Sequence, residues 1–489
     1  MKFFDKIKKF IRRIFVDYGD INWMIEEHSR IRSEEVTKRI IEENSNSIQK
    51  MKNEFNDDIS EILEKLEKLE KLTERINNEE AELKNTILEV NEKLEQIKYN
   101  NSELQNIEID KNFKNILIVG FYGAPNLGDE LMLETVLDYL EDVENKKITI
   151  LLADNPKYSI DKYKDVRFLH YPRTLCDFNV LAEQYDYVIF GGGAIIDDKQ
   201  YEKEKSYQYD LGTILIKLAI RAIAFNKKVI CLALSASQNI NNEEYLDKLK
   251  YVIEKSEFFS VRDSYTKQYL EEKLGKEISE KIVEINDIVL SNKKILPNIR
   301  KERKISNDLN IGVVFISNDN NIEKLNIIID AISKLNKKCN INLIPFYDYN
   351  EIDIRFYDRV RCIENSDIKI NIEKYSENMS ETIELFNKND IIIGMRYHSI
   401  LLADILNIPC ISINYDIHEH YYYKIKYLNE IFEQEQALSY LNLDTESVFN
   451  RLKDVTENKN QKNIFSISEK ITQDATKQIK TVIDKLINK

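Results

Sequence analysis

The apolar positions change their period along the chain, and each change predicts a different kind of element. Residues 20–119 contain neither glycine nor proline, so nothing interrupts a helix there. Stepping by seven from Ile48 meets Phe55, Ile62, Leu69, Ile76, Leu83, Val90 and Ile97, all apolar. The companion seam positions Ile59, Leu66, Ile87 and Leu94 agree, while Lys52, Thr73 and Glu80 do not. A seam this long with Glu and Lys between its members predicts a coiled coil over 30–111, since a solitary helix would leave the seam wet. Ahead of it, Phe3, Phe4, Ile7, Phe10, Ile11, Ile14 and Phe15 recur at helical spacing, with Lys2, Lys6, Lys8, Lys9, Arg12 and Arg13 between them. Residues 1–29 thus read as a basic amphipathic helix. Its first sixteen residues have the pattern of a helix lying on an anionic membrane, and the same stripe also suits packing on another protein helix.

From about residue 112 the texture becomes short β-branched runs alternating with helical segments. Strands are predicted at 115–120, 147–152, 186–190, 228–234, 258–262 and 282–286, with helices around 129–142, 205–226, 242–256 and 264–274. After the polar stretch 291–307 the pattern restarts with strands at 310–316, 340–345, 391–395 and 410–414, and a closing helix over 462–488. Unbroken apolar strands separated by helices predict parallel sheets covered on both faces. The expected organisation is therefore two similar α/β domains, 112–300 and 301–489, the second with the closing helix, preceded by a long α-helical coiled coil.

Charge and composition narrow the function. Lys and Arg number 71 against 85 Asp and Glu, a net charge of −14, which argues against nucleic acid as a partner. The five cysteines, Cys176, Cys231, Cys339, Cys362 and Cys410, show no CxxC spacing and suggest a reduced, cytoplasmic setting rather than a disulfide framework. No apolar run reaches bilayer length. The basic start lacks the apolar centre and small-residue cleavage site of a signal peptide and is expected to be retained. No metal-ligand spacing occurs, so neither metal nor cofactor is expected.

Seven of the eleven glycines fall at three predicted strand ends, a distribution that favours sites over packing. Gly120-Phe-Tyr-Gly123-Ala-Pro-Asn126-Leu-Gly128-Asp129-Glu130 is a strand–loop–helix joint where backbone N–H groups can meet an anion; a tight turn with Asp129 as helix cap is the plainer alternative. Gly191-Gly192-Gly193 follows a buried strand and permits close approach by a ligand or by a facing domain. Gly394-Met395-Arg396-Tyr397-His398 leaves a strand ahead of a helix expected near Ser399. Were this segment extended, Arg396 and His398 would point the same way into the crevice where open α/β sheets bind ligands. An arginine fork holds carboxylate or phosphate, and histidine moves protons near neutral pH. Ser260-Val-Arg262-Asp263 adds an arginine at another strand end.

Together GFYGAPNLGDE, DYVIFGGG, SVRDSYT and IIIGMRYHSILLADILNIPCISINYD resemble, in order and spacing, the polysaccharide pyruvyl transferase family over roughly residues 113–430. The resemblance implies two Rossmann-like domains in a GT-B-like arrangement. It also implies transfer of pyruvate from phosphoenolpyruvate, the donor substrate, onto a sugar as a ketal. On that basis His398 is the catalytic acid, Arg262, Arg396 and Gly191–Gly193 bind the donor, and Asn126, Asp129 and Glu130 belong to the acceptor side or its loop. Where the family often has a turn containing Gly and Pro, this chain has Leu234-Ser-Ala-Ser237. Where a lysine is common shortly after Tyr415-Asp416, it has Ile417-His418, which makes His418 a second histidine of interest. The implied setting is cell-surface polysaccharide synthesis; the expected location is the cytoplasm, at the inner face of the cell membrane if residues 1–16 bind it. The acceptor would be a sugar, lipid-linked or free of lipid, and the coiled coil would make the protein a homo-oligomer. The rival readings are a GT-B glycosyltransferase using a nucleotide sugar and a coiled-coil scaffold with degenerate enzyme domains.

Overall fold

The computed structural model describes residues 110–487 apart from 154–162, 164, 200, 202–208, 303–304, 361–366, 418 and 458–463. The basic helix and nearly all of the coiled coil expected over 1–111 lie outside the described residues, as does His418.

The first α/β half runs β1 (Lys114–Tyr122), α1 (Leu127–Leu140), β2 (Lys146–Leu152), β3 (Val166–His170), α2 (Leu175–Gln184), β4 (Tyr187–Phe190), β5 (Gly193–Ile196), α3 (Leu211–Ala224), β6 (Lys228–Ala236), α4 (Glu243–Lys255), β7 (Phe258–Val261), α5 (Ser264–Leu274), α6 (Lys276–Ser279) and β8 (Val283–Glu284). The second runs β9 (Leu309–Val314), α7 (Ile322–Ser333), β10 (Cys339–Leu343), α8 (Ile352–Tyr357), β11 (Ile368–Ile372), α9 (Met379–Asn387), β12 (Ile391–Gly394), α10 (Tyr397–Ile405), β13 (Cys410–Asn414), α11 (Glu419–Ile431), β14 (Leu438–Ser439), α12 (Thr445–Thr456) and α13 (Phe465–Leu486).

The first sheet has the order β3-β2-β1-β4-β6-β7-β8 with β5 paired to β6, and the second β11-β10-β9-β12-β13-β14. Every strand pair is parallel. The central strands are buried along nearly their whole length, which is why they read as apolar runs rather than as alternation. The strands missing from the sequence reading are of two kinds. β3, β11 and β14 are edge strands that are largely half-buried or exposed, and β5 hides behind the three glycines.

Local polar chemistry sets several helix starts. Asp210, Asn242, Asp263, Asn378 and Asp444 each accept a hydrogen bond from a backbone N–H of the first turn, supplying a partner to donors that the helix itself cannot satisfy. The helix expected from residue 205 is described from Leu211, behind Asp210.

In each sheet the strand order reverses beside the first strand, between β1 and β4 and between β9 and β12. Loops at the carboxyl ends of strands flanking such a reversal diverge and open a crevice. The two halves are stitched together beside these crevices. Leu127 N donates to Phe346 O at 2.9 Å and Asp348 N to Pro125 O at 2.9 Å, around an antiparallel bridge between Asn126 and Tyr347. The closing helix α13 touches both halves: Lys114 Nζ donates to Ile487 O, 2.7 Å, and Ser468 Oγ to Asp404 O, 3.0 Å. Ala475, Ile479, Val482 and Ile483 share one apolar core with Ile116, Leu133 and Ile400. Two parallel-sheet α/β domains closed by such a helix form a GT-B-like arrangement.

Candidate functional site

His398 stands at the meeting of the two halves. Its imidazole lies against the first turn of α1, so close that a Cβ on Gly128 would stand 2.0 Å from Nδ1. Glycine at 128 is therefore a spatial requirement. On the other side of the ring, Nε2 is 3.6 Å from Asp287 Oδ2, an ion-pair distance rather than a hydrogen bond. Nε2 has no hydrogen-bond partner among the described residues. The Tyr397 ring stands nearly perpendicular to the imidazole, 5.0 Å between centroids.

Asp287 is the hub. It is 2% exposed, takes a hydrogen bond from Val289 N at 3.0 Å and one from Arg262 Nη1 at 2.9 Å. Burial alone would push its carboxyl up, but His398, Arg262 and the Val289 N–H outweigh burial and hold it well below the usual carboxylate range. Arg262, 3% exposed, also lies over the face of Tyr397, 4.2 Å from the ring centroid. The arginine at the end of β7 thus enters the same cluster as the histidine after β12.

Asp129 faces this cluster from the third residue of α1. Its Oδ1 would lie 3.5 Å from a Cβ on Gly193. Gly193 has φ +97° and Gly192 φ +99°, a region that side chains disfavour, so the glycine run is built for its backbone conformation as well as for approach. Burial pushes the Asp129 carboxyl up to about 6, against the pull of His398 and Arg262. Helix α1 is capped at Asn126 rather than Asp129, and Asn126 makes no side-chain cap bond. Glu130 serves the scaffold, since its Oε1 accepts from Gly123 N at 2.7 Å and ties down the glycine loop. Tyr122 Oη donates to Gly191 O at 2.9 Å and joins that loop to the second one.

Arg396 departs from the sequence reading. Helix α10 begins at Tyr397, two residues ahead of the expected Ser399, with Arg396 as its extended N-cap, so the segment does not stay extended as far as His398 and the two side chains do not share a direction. Two residues of helix swing the side-chain direction by about 200°, a little over half a turn. Arg396 Nη2 bonds Asp353 Oδ1 at 2.9 Å, while His398 turns to Asp287. Asp353, fully buried, also accepts from Phe346 N at 2.8 Å and Tyr347 N at 2.7 Å. Arg396 therefore supports the loop that pairs with Pro125–Leu127. Its Nε and that of Arg262 are buried with no hydrogen-bond partner among the described residues.

Asp287, Asp353, Tyr397 and Gly128 were not singled out as site residues by the sequence reading. Asp287 directly follows the strand expected at 282–286 but has no glycine beside it, and Asp353 sits in EIDIRFY, which carries neither glycine nor strand-end signal. Gly128 lay inside a quoted motif, and its contact with a side chain 270 positions away left no local trace.

A GT-B-like pair of Rossmann domains with glycine loops and a buried histidine–aspartate–arginine cluster at their junction defines the class of the protein. The chain belongs to the polysaccharide pyruvyl transferase family, whose sequence profile matches residues 126–417, more than half of its length. No curated protein matches it in sequence. Among solved structures it is similar to UDP-GlcNAc 2-epimerase from Methanocaldococcus jannaschii, with 15% identity, a TM-score of 0.47, and 75% of this chain and 98% of that one covered. It is also similar to MurG from Acinetobacter baumannii, with 14% identity, a TM-score of 0.47, and coverage of 76% and 99%. Among the described residues no helix is long and apolar enough to cross a membrane.

Proposed function

We propose that the chain transfers the pyruvyl group of phosphoenolpyruvate to two hydroxyls of a sugar, forming a ketal and releasing phosphate. The observation that supports this most is the placement of His398: Asp287 beside Nε2, the α1 turn at Gly128 beneath Nδ1, and Arg262 on the same carboxylate. A ring held this way can hand a proton to one position.

In the proposed reaction the imidazolium of His398 gives its proton to the methylene carbon, and the double bond supplies the electron pair. A sugar hydroxyl adds to the adjacent carbon and loses its proton to a base. The bond from that carbon to the phosphate oxygen then breaks, phosphate leaves with the electron pair, and a second hydroxyl adds to the carbon, losing its proton to the departing phosphate, to close the ketal. The donors that Arg262 and Arg396 do not spend on their carboxylates, together with the α1 turn, would orient the donor and offset its charge. The acceptor would be a precursor of a cell-surface polysaccharide, carried on a lipid or a nucleotide.

Phosphate release dependent on phosphoenolpyruvate, measured against a panel of lipid-linked and nucleotide-linked sugars, tests the proposal. His398→Ala should fold and lower turnover by about 10²–10⁴-fold. Release of a nucleoside diphosphate from a nucleotide sugar, with no phosphate from phosphoenolpyruvate, would overturn the donor and favour glycosyl transfer. Near-wild-type turnover in folded His398→Ala would remove the histidine from its role.

A further inference from the structure

Lys424 is a buried cation beside the site that the proposed reaction leaves unused. It lies on α11 and is 7% exposed, yet it makes no hydrogen bond or ion pair among the described residues; the Tyr421 ring stands near, 5.7 Å from Nζ to centroid. Asp263 and Asp129 act on it without forming an ion pair, and holding an ammonium largely out of water with no hydrogen bond is costly. Such a group calls for a partner that arrives with a ligand.

Its position is set by packing. Helix α11 lies on α5: the Tyr423 and Tyr265 rings are 5.2 Å apart, and Tyr265 Oη donates to Glu430 Oε1 at 2.7 Å. Helix α5 starts at Asp263, the residue after Arg262. Helix α11 also packs on α10, the helix that carries His398, and the charges that act most on the Lys424 ammonium are those of Arg262, Asp263, Asp129 and Lys199.

The local charge balance makes the case sharper. Arg262 is held by Asp287 and Arg396 by Asp353, both carboxylates buried. The two arginines are thus neutralised before any ligand binds. Asp263 is itself engaged by Thr266 N at 2.6 Å and by the Thr266 hydroxyl at 3.0 Å. A donor with a phosphate and a carboxylate brings several negative charges and needs a cation that no protein carboxylate already holds.

We propose that Lys424 is that cation, a direct ligand for an anionic group of the donor. This rests on the donor reading given above. Burial, and secondarily Arg262, depress the lysine to about 7. At pH 8 much of it is then neutral. An anion beside Nζ favours the ammonium and raises it again, so binding above pH 7 draws a proton from solution. Asp129 and His398 also face the cluster and can exchange protons, which is why the test substitutes Lys424 rather than relying on the pH profile of the wild type.

Calorimetric titration of the full chain with phosphoenolpyruvate, without acceptor, at pH 8 in two buffers of different ionisation enthalpy gives both affinity and proton uptake. Wild type should bind with net uptake. Lys424→Met should bind about tenfold or more weakly, the loss of one charged hydrogen bond, and show reduced uptake. Lys424→Arg, charged throughout, should keep most of the affinity and lose the same part of the uptake. Wild-type affinity and uptake in Lys424→Met overturn the inference; where that variant does not fold, unchanged uptake in Lys424→Arg does so. If wild type does not bind phosphoenolpyruvate, the donor reading fails first. Inorganic phosphate then probes the lysine alone: weaker phosphate binding by Lys424→Met keeps it as an anion ligand, and equal binding, or none by the wild type, removes that role too.

Discussion

His398 and Gly128 touch across the junction of the two domains, with Nδ1 of the imidazole filling the space 2.0 Å from where a Cβ on residue 128 would stand. Alanine is no burden to the first turn of α1 and gains helix propensity over glycine. Its methyl group would nevertheless displace a ring confined by Asp287 and Tyr397. Gly128→Ala should keep its fold, read by circular dichroism and thermal melting, while turnover falls by about 10²-fold, the scale of a misplacement near 1 Å. Undiminished turnover would show that the ring does not depend on this contact.

Arg396→Ala should act first on stability. The substitution leaves the fully buried Asp353 carboxyl without its arginine, beside Phe346 N and Tyr347 N. Removing one partner of a buried pair costs about 3–5 kcal/mol. Asp353→Asn in the Arg396→Ala background should recover part of the loss, so a double-substitution cycle by urea unfolding would give a coupling of about 1 kcal/mol or more. Additive effects would mean that the pair does not matter.

Asp129 carries a pH signature. Its carboxyl is raised to about 6 by burial from an ordinary value of 3.8, so between those values the folded chain keeps a proton that the unfolded chain has released. Stability therefore falls as pH rises through that window, and the deficit persists above it. Asp129→Asn removes the deficit. Relative to wild type the variant should gain up to about 3 kcal/mol between pH 4 and 7, measured as the difference in unfolding free energy at each pH. A constant difference would place Asp129 in an ordinary solvated setting.

The heptad seam over 30–105 predicts parallel self-association, because its apolar positions need a partner surface. Sedimentation should report an oligomer for the full chain and a smaller species for a chain beginning near Asn112. Monomers in both cases would remove the coiled coil.

The sequence by itself determined the α/β class, the central strands and the loops that carry chemistry. Central strands buried on both faces must be unbroken apolar runs, and a ligand-facing joint in such a sheet needs glycine where backbone comes close. Both demands act on neighbours in the chain, so both can be read locally. The same local reading overextended the segment after β12. Only the hydrogen bonds of α10 place Arg396 at a cap and His398 one step into a helix, which turns one toward Asp353 and the other toward Asp287. The tertiary structure also decided the partnerships. Asp287 answers Arg262, 25 residues away, and His398, 111 residues away, while Lys424 reaches the cluster through the packing of α11 on α5. Aspartate and lysine are ordinary surface residues in any window of sequence. What sets these apart is the water excluded by the folded chain, and burial arises only when distant segments close over the same volume.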